Sequence, residues 1–196
     1  MATIRHWRLD PHRRVSLLVG TAAVLTISSW AGYLLAFSAG VTGVAQSPVG
    51  CSCHSATPNA NGAVTVSITG PSGVLPGSTN AYTISVSGGP PPGGGGFNLV
   101  ADMGTLIAGA NNSLVGGELT HSNATQRSWS FTWTAPNANT TAHFYAVSQS
   151  CNLNGTNQGD SWNWYGGAVS TPFSITVSAP TPTGRRSWGH LKTIYR

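Results

Sequence analysis

The chain has 196 residues, 40% of them hydrophobic and only 7% charged, with a formal net charge of +5. Ordinary globular chains carry about 25% charged residues, so this composition excludes a highly charged disordered chain, a coiled coil and a typical cytosolic enzyme surface. The 25 glycines and 12 prolines follow no period, which excludes collagen.

The positive charge belongs to the ends. Arg5, Arg8, Arg13 and Arg14 lie near the N-terminus, and Arg185, Arg186, Lys192 and Arg196 near the C-terminus. Between them Arg127 stands alone against Asp102, Glu118 and Asp160. A nucleic-acid surface needs clustered Lys and Arg, so nucleic acid is not an expected partner.

The first element in chain order is an apolar run from Val15 to Ala36, uncharged and preceded by basic residues. It has the length of a membrane span or a long signal core. Gly43-Val44-Ala45 offers small residues for cleavage before Gln46. Cut, the segment is a signal peptide; uncut, it is a membrane anchor. With the basic side inside, both readings export residues 46–196 to the periplasm, cell surface or exterior. Three regions are therefore expected: 1–45 as signal or anchor, 46–178 as the folded body, and 179–196 as a Pro/Thr linker with a basic tail.

The body reads as all-β. Val64, Val66 and Ile68 alternate with Thr and Ser; so do Tyr82, Ile84 and Val86, then Trp129, Phe131 and Trp133, then Phe173, Ile175 and Val177. Phe97, Leu99 and Ala101 continue the pattern, and 141–147 is apolar enough for a buried central strand. Gly88 to Gly96 (GGPPPGGGG) reads as a loop. Short strands at this spacing predict an antiparallel immunoglobulin-like sandwich. The three aromatics from Trp129 to Trp133 are read as core. Trp162, Trp164 and Tyr165 are expected to be buried at one end of the sandwich. The segment 152–160 holds one carboxylate, Asp160, too few for calcium, and is read as a turn-rich loop. In the tail, Trp188, Leu191, Ile194 and Tyr195 would share a face on a helix, for surface sorting or membrane contact; a frayed, solvated tail is the equal alternative.

The chemistry concentrates at Cys51-Ser52-Cys53-His54. An exported chain with three cysteines invites a disulfide, and Cys51 with Cys151 is the candidate pair. Adjacent Cys53-His54 is the pair that carries haem in c-type cytochromes, where a thioether anchors the ring and the histidine reaches the iron. Here the first cysteine is one residue too near, so attachment through Cys53 alone is easier than through both. The opposite axial ligand would be His121, in a polar Gly-rich segment, with His143 and Met103 as alternatives. A copper or zinc ion on the same Cys and His residues, or a purely structural disulfide, competes with haem on spacing alone.

Several motifs resemble the bacterial choice-of-anchor V domain, a family related to Reeler-type extracellular sandwiches. They are Gly50-Cys51-Ser52-Cys53-His54, Gly117-Glu118-Leu119-Thr120-His121, Phe131-Thr132-Trp133-Thr134-Ala135-Pro136, Phe144-Tyr145-Ala146 and Gly159-Asp160-Ser161-Trp162-Asn163. The likeness spans about residues 45–178. It implies an exported, surface-held β-sandwich. It also makes the Cys-x-Cys-His run and Thr120-His121 part of a pattern, which favours covalent haem with His54 and His121 as the axial pair and electron transfer as the role. Cys151 is an addition to that pattern. The alternatives are a cofactor-free adhesion or binding module held by a disulfide, and a Cys/His copper or zinc site. No catalytic constellation accompanies these motifs: there is no nucleophile elbow, phosphate loop or close carboxylate pair. An enzyme is not expected, and the redox partner or surface ligand is unnamed by the sequence.

Overall fold

The structure is a computed structural model and describes residues 40–180. The apolar run 15–36 and the tail 185–196 lie outside the described residues. Among the described residues no helix is long and apolar enough to cross a membrane.

Among the described residues eleven strands follow one another: β1 (Val64–Thr69), β2 (Gly73–Val74), β3 (Thr79–Gly88), β4 (Gly94–Ala101), β5 (Thr105–Ile107), β6 (Asn112–Val115), β7 (Glu118–His121), β8 (Ser128–Thr134), β9 (Thr140–Cys151), β10 (Ser161–Trp164) and β11 (Phe173–Val177). One sheet runs β1-β3-β8-β5 and the other β2-β11-β9-β4-β7-β6. Along one edge of β9, β11 pairs with its first half and β10 with its second; β4 covers the other edge. The described body is the all-β, antiparallel-rich sandwich that period-two alternation predicts.

The alternation decides which side chains meet. Val64, Val66, Ile68, Tyr82, Ile84, Trp129, Phe131 and Trp133 of the first sheet face Phe97, Leu99, Leu119, Phe144 and Ile175 of the second. Phe144 sits edge-on to Tyr82 at 5.1 Å and to Trp133 at 5.3 Å between ring centroids. Each such large aromatic removes about 150–250 Å² from water, so these rings dominate the stability of the body.

Two features depart from the sequence reading. Gly94, Gly95 and Gly96, read as loop, open β4 and are buried. They pair with Cys151, Ser150 and Gln149 of β9. The His121 ring and the Leu153 side chain occupy the space that side chains at Gly96 and Gly94 would fill. A glycine in a strand often marks such a close approach. Secondly, Trp162 and Trp164 are buried, but not at the end of the sandwich. They pair with Gln149 and Val147, on the outer face of the larger sheet. There they form a second apolar cluster with Val147, against which Val44 and Cys51 pack.

That outer cluster is covered by the segment 40–54. Val44 and Ala45 donate their N–H groups to Asn98 Oδ1 at 3.1 and 2.8 Å, Val41 donates to Thr120 Oγ1 and Gly43 to Glu118. Gly50 lies on the Trp162 and Trp164 rings at φ 53°, where any side chain would overlap them. Residues 40–45 are thus bonded to the body whose start the sequence placed at 46, and a cut before Gln46 would sever them from it.

Candidate metal centre

The covering segment delivers Cys51-Ser52-Cys53-His54 to the end of β9. A turn closes it, with His54 N–H donating to the Cys51 carbonyl at 2.9 Å. Two further bonds fix the turn from the body side: Trp162 Nε1–H donates to the Ser55 carbonyl at 2.9 Å, and Asn157 Nδ2–H donates to the Cys53 carbonyl. The loop between β9 and β10 therefore folds back onto the Cys-Ser-Cys-His turn. Asx turns at Asn152 and Asn154 shape that loop, each side-chain oxygen accepting an N–H two residues on.

Asp160 ends the loop and is 2% exposed. Its Oδ1 accepts the Asn152 N–H at 2.8 Å and its Oδ2 accepts Nδ1–H of His54 at 2.8 Å. The Cys151 thiol completes the group. One ligand atom from each of His54, Cys151 and Asp160 lies within 4.8 Å of the others. Burial, reinforced by the negative charge of Asp160 and a hydrogen bond to it, pushes the Cys151 thiol up to about 12; Arg127 and Gln149 pull the other way. Burial, with the nearby Cys151 and Cys53, pushes Cys51 up to about 12 as well. Without a metal, both sulfurs are protonated at neutral pH. A cation bound at Cys151 would displace that thiol's proton, as thiolate ligation requires.

The sequence-predicted residues are distributed as follows. Cys51, Cys53 and His54 share one turn, and Cys151 lies beside it. All three cysteines are free thiols: Cys53 exposed, Cys51 half-buried, Cys151 buried. The Cys51–Cys151 disulfide is thus not formed in this structure, although both cysteines belong to one site. His121 is not one of the three clustered residues. Its ring lies over Gly96 and 6.4 Å from Trp129, and its Nδ1 accepts the Phe97 N–H at 3.2 Å. The same Nδ1 lies 3.5 Å from the Phe97 carbonyl, so whether it accepts or donates there follows the tautomer of the ring. Desolvation lowers the pKa of His121, partly offset by the Phe97 carbonyl and reinforced by the charge of His54.

The two alternative axial ligands are out of reach. His143 lies eight residues before Cys151 on β9, about 26 Å along an extended strand. It donates Nδ1–H to Asp102 at 2.7 Å. Met103 neighbours Asp102, also at that distant end, and its carbonyl accepts Trp133 Nε1–H. Neither can share an ion with His54.

Asp160 is the functional candidate that sequence reading missed. Its signal was present: it is one of three carboxylates between residues 15 and 184, and it follows Cys151 by nine residues.

No family model matches the sequence, and no curated protein matches it. Among solved structures, the CARDB domain of a Pyrococcus furiosus protein, in complex with di-metal ions, is similar at 16% identity. The match covers 64% of this chain and 96% of that one, with a TM-score of 0.31.

Proposed function

We propose that this chain is an exported β-sandwich module that holds one zinc or copper ion between His54, Cys151 and Asp160. The observation that carries the reading is the convergence of three donor atoms within 4.8 Å, from the His54 turn and from a strand end and a loop, the last of them 106 residues further along the chain. Nitrogen, sulfur and oxygen donors in one cluster suit a borderline or transition cation; calcium and magnesium take oxygen ligands alone. The charges also suit a divalent ion. One thiolate and one carboxylate neutralise it, so the occupied site is buried without net charge. Three protein ligands leave a tetrahedral ion one position for a further donor. Export rests on the basic N-terminal residues, the apolar run 15–36 and the likeness to surface-held choice-of-anchor V domains.

Cobalt(II) titration of the reduced protein tests the reading. Thiolate ligation gives an intense sulfur-to-cobalt absorption that zinc then displaces. Cys151→Ser abolishes that absorption. A reduced, folded protein that takes up neither ion contradicts the reading.

A second reading, covalent haem for electron transfer, is favoured by one observation. Cys53 is exposed beside His54, and the Nδ1–H bond to Asp160 leaves Nε2 of His54 available to iron. In that reading Cys53 carries the thioether, and Cys51 stays out of it. The donor set fits a single ion better, because His54 already shares its cluster with Cys151 and Asp160, and His121 is not part of it. Expression with haem-maturation machinery separates the two: a haem mass that survives denaturation selects the second reading.

A further inference from the structure

Three thiols mark a path from solvent to the ligand cluster. Cys53 is exposed, Cys51 is half-buried and Cys151 is buried. Cys51 and Cys53 share the turn that ends in His54, and the His54 ring meets Cys151 in the cluster. Cys51 packs on Trp162 and Trp164, on the sheet face formed where β10 pairs with the last residues of β9. Cys151 ends that same strand. Cys151 and Cys53 are both near enough to Cys51 to act on it electrostatically. The metal cluster itself uses only the innermost of the three sulfurs.

We infer that Cys53, Cys51 and Cys151 form a thiol relay that carries oxidation from an external disulfide inward, closes a Cys51–Cys151 disulfide and so removes the sulfur ligand from the metal site. Cys53, as thiolate, attacks the external disulfide; its S–S bond breaks, one thiolate leaves, and a Cys53 mixed disulfide forms. Cys51 gives up its proton and attacks the Cys53 sulfur; the second external thiolate leaves, and Cys51–Cys53 forms. Cys151 gives up its proton and attacks Cys51; Cys53 leaves as thiolate, and Cys51–Cys151 remains. The external disulfide gains two electrons and becomes two thiols, which take up the protons released. Exposure decides the point of entry, because exchange requires access to the attacking sulfur. The direction follows from strain: the small Cys-x-Cys ring is the more oxidising disulfide, and the Cys51–Cys151 bridge closes a long loop. The loss of the ligand rests on the metal reading above; the relay does not.

The test uses reduced full-length protein, excess glutathione disulfide, acid quenching and peptide mapping over time, with zinc capacity measured in parallel. A Cys53–glutathione adduct should appear first and give way to Cys51–Cys151, while zinc capacity falls in step. Cys53→Ser should reach the same bridge at least about tenfold more slowly, because the buried sulfurs lack its access. Cys51→Ser should keep its zinc capacity in glutathione disulfide. Mapping that stops at the Cys53 adduct, or Cys53→Ser closing at the wild-type rate, overturns the relay. A closed bridge with zinc capacity intact overturns the gating. Reduced protein that takes no zinc at all overturns the metal reading and the gating together, and the peptide map still decides the relay.

Discussion

Asp160→Asn removes charge from the site while keeping its shape. Asp160 holds His54 Nδ1–H through Oδ2 and the Asn152 N–H through Oδ1, both at 2.8 Å. An asparagine can keep the Asn152 bond only through its oxygen; flipped, its amide would meet that N–H donor to donor. Its NH2 then faces His54 Nδ1, ties up that lone pair and drives the ring proton to Nε2. The carboxylate ligand is lost, and neither nitrogen of His54 stays free. Loss of the charge-assisted bond costs about 1.5–3 kcal/mol of stability in the metal-free protein. A structural zinc site with four ligands is worth about 10–16 kcal/mol, or about 2.5–4 kcal/mol for each ligand. One ligand's share is therefore about 100–1000-fold in affinity, and the damage to His54 adds to it. Competition against a chromophoric chelator measures this directly. A folded Asp160→Asn protein that binds zinc within about threefold of wild type would refute the reasoning, since even an outer-shell partner typically carries about 10–100-fold.

Three further predictions concern the scaffold. Asn98→Ala leaves the Val44 and Ala45 N–H groups without their shared acceptor and should cost about 2–4 kcal/mol, with faster proteolysis near residue 45; denaturant midpoints and cleavage mapping check it. Trp133→Ala empties the space between Tyr82 and Phe144 and should cost about 3–5 kcal/mol, read by chemical denaturation. The metal-free protein should be most stable between about pH 6.5 and about pH 9. Below that window His121, whose folded pKa is lowered from 6.5, must take up a proton more readily in the unfolded chain. Above it Cys51 and Cys151, raised from 9.0 to about 12, ionise first in the unfolded chain, and Tyr82, raised from 10.0, follows. A flat stability curve from pH 5 to pH 10 would contradict those directions.

Period-two alternation made most strands legible, because a half-buried strand writes its inner face into every second residue. Trp129, Phe131 and Trp133 show this plainly, at 1, 2 and 0% exposure. The signal fails at Gly94–Gly96, where no side chain marks a face and the filling comes from His121 and Leu153 elsewhere in the chain. It also fails for Trp162 and Trp164, whose alternation is visible but whose cover, the segment 40–54, is a long-range partner. At the site, Cys51-Ser52-Cys53-His54 stood out as local sequence. The pairing of His54 with Asp160, 106 residues away, is a product of loop closure and has no periodic signature. His121 drew attention for its polar segment, yet it is not among the three residues whose donor atoms converge, and its Nδ1 meets the Phe97 backbone. Local spacing names the reactive residues here, and only the fold decides which of them meet.

The central claim is that His54, Cys151 and Asp160 hold one metal ion. Native mass spectrometry of the reduced protein with one equivalent of zinc tests it most directly. A single species one zinc ion heavier than the chain is expected, reverting to the metal-free mass in Cys151→Ser. A folded wild-type protein that stays at its metal-free mass would contradict it.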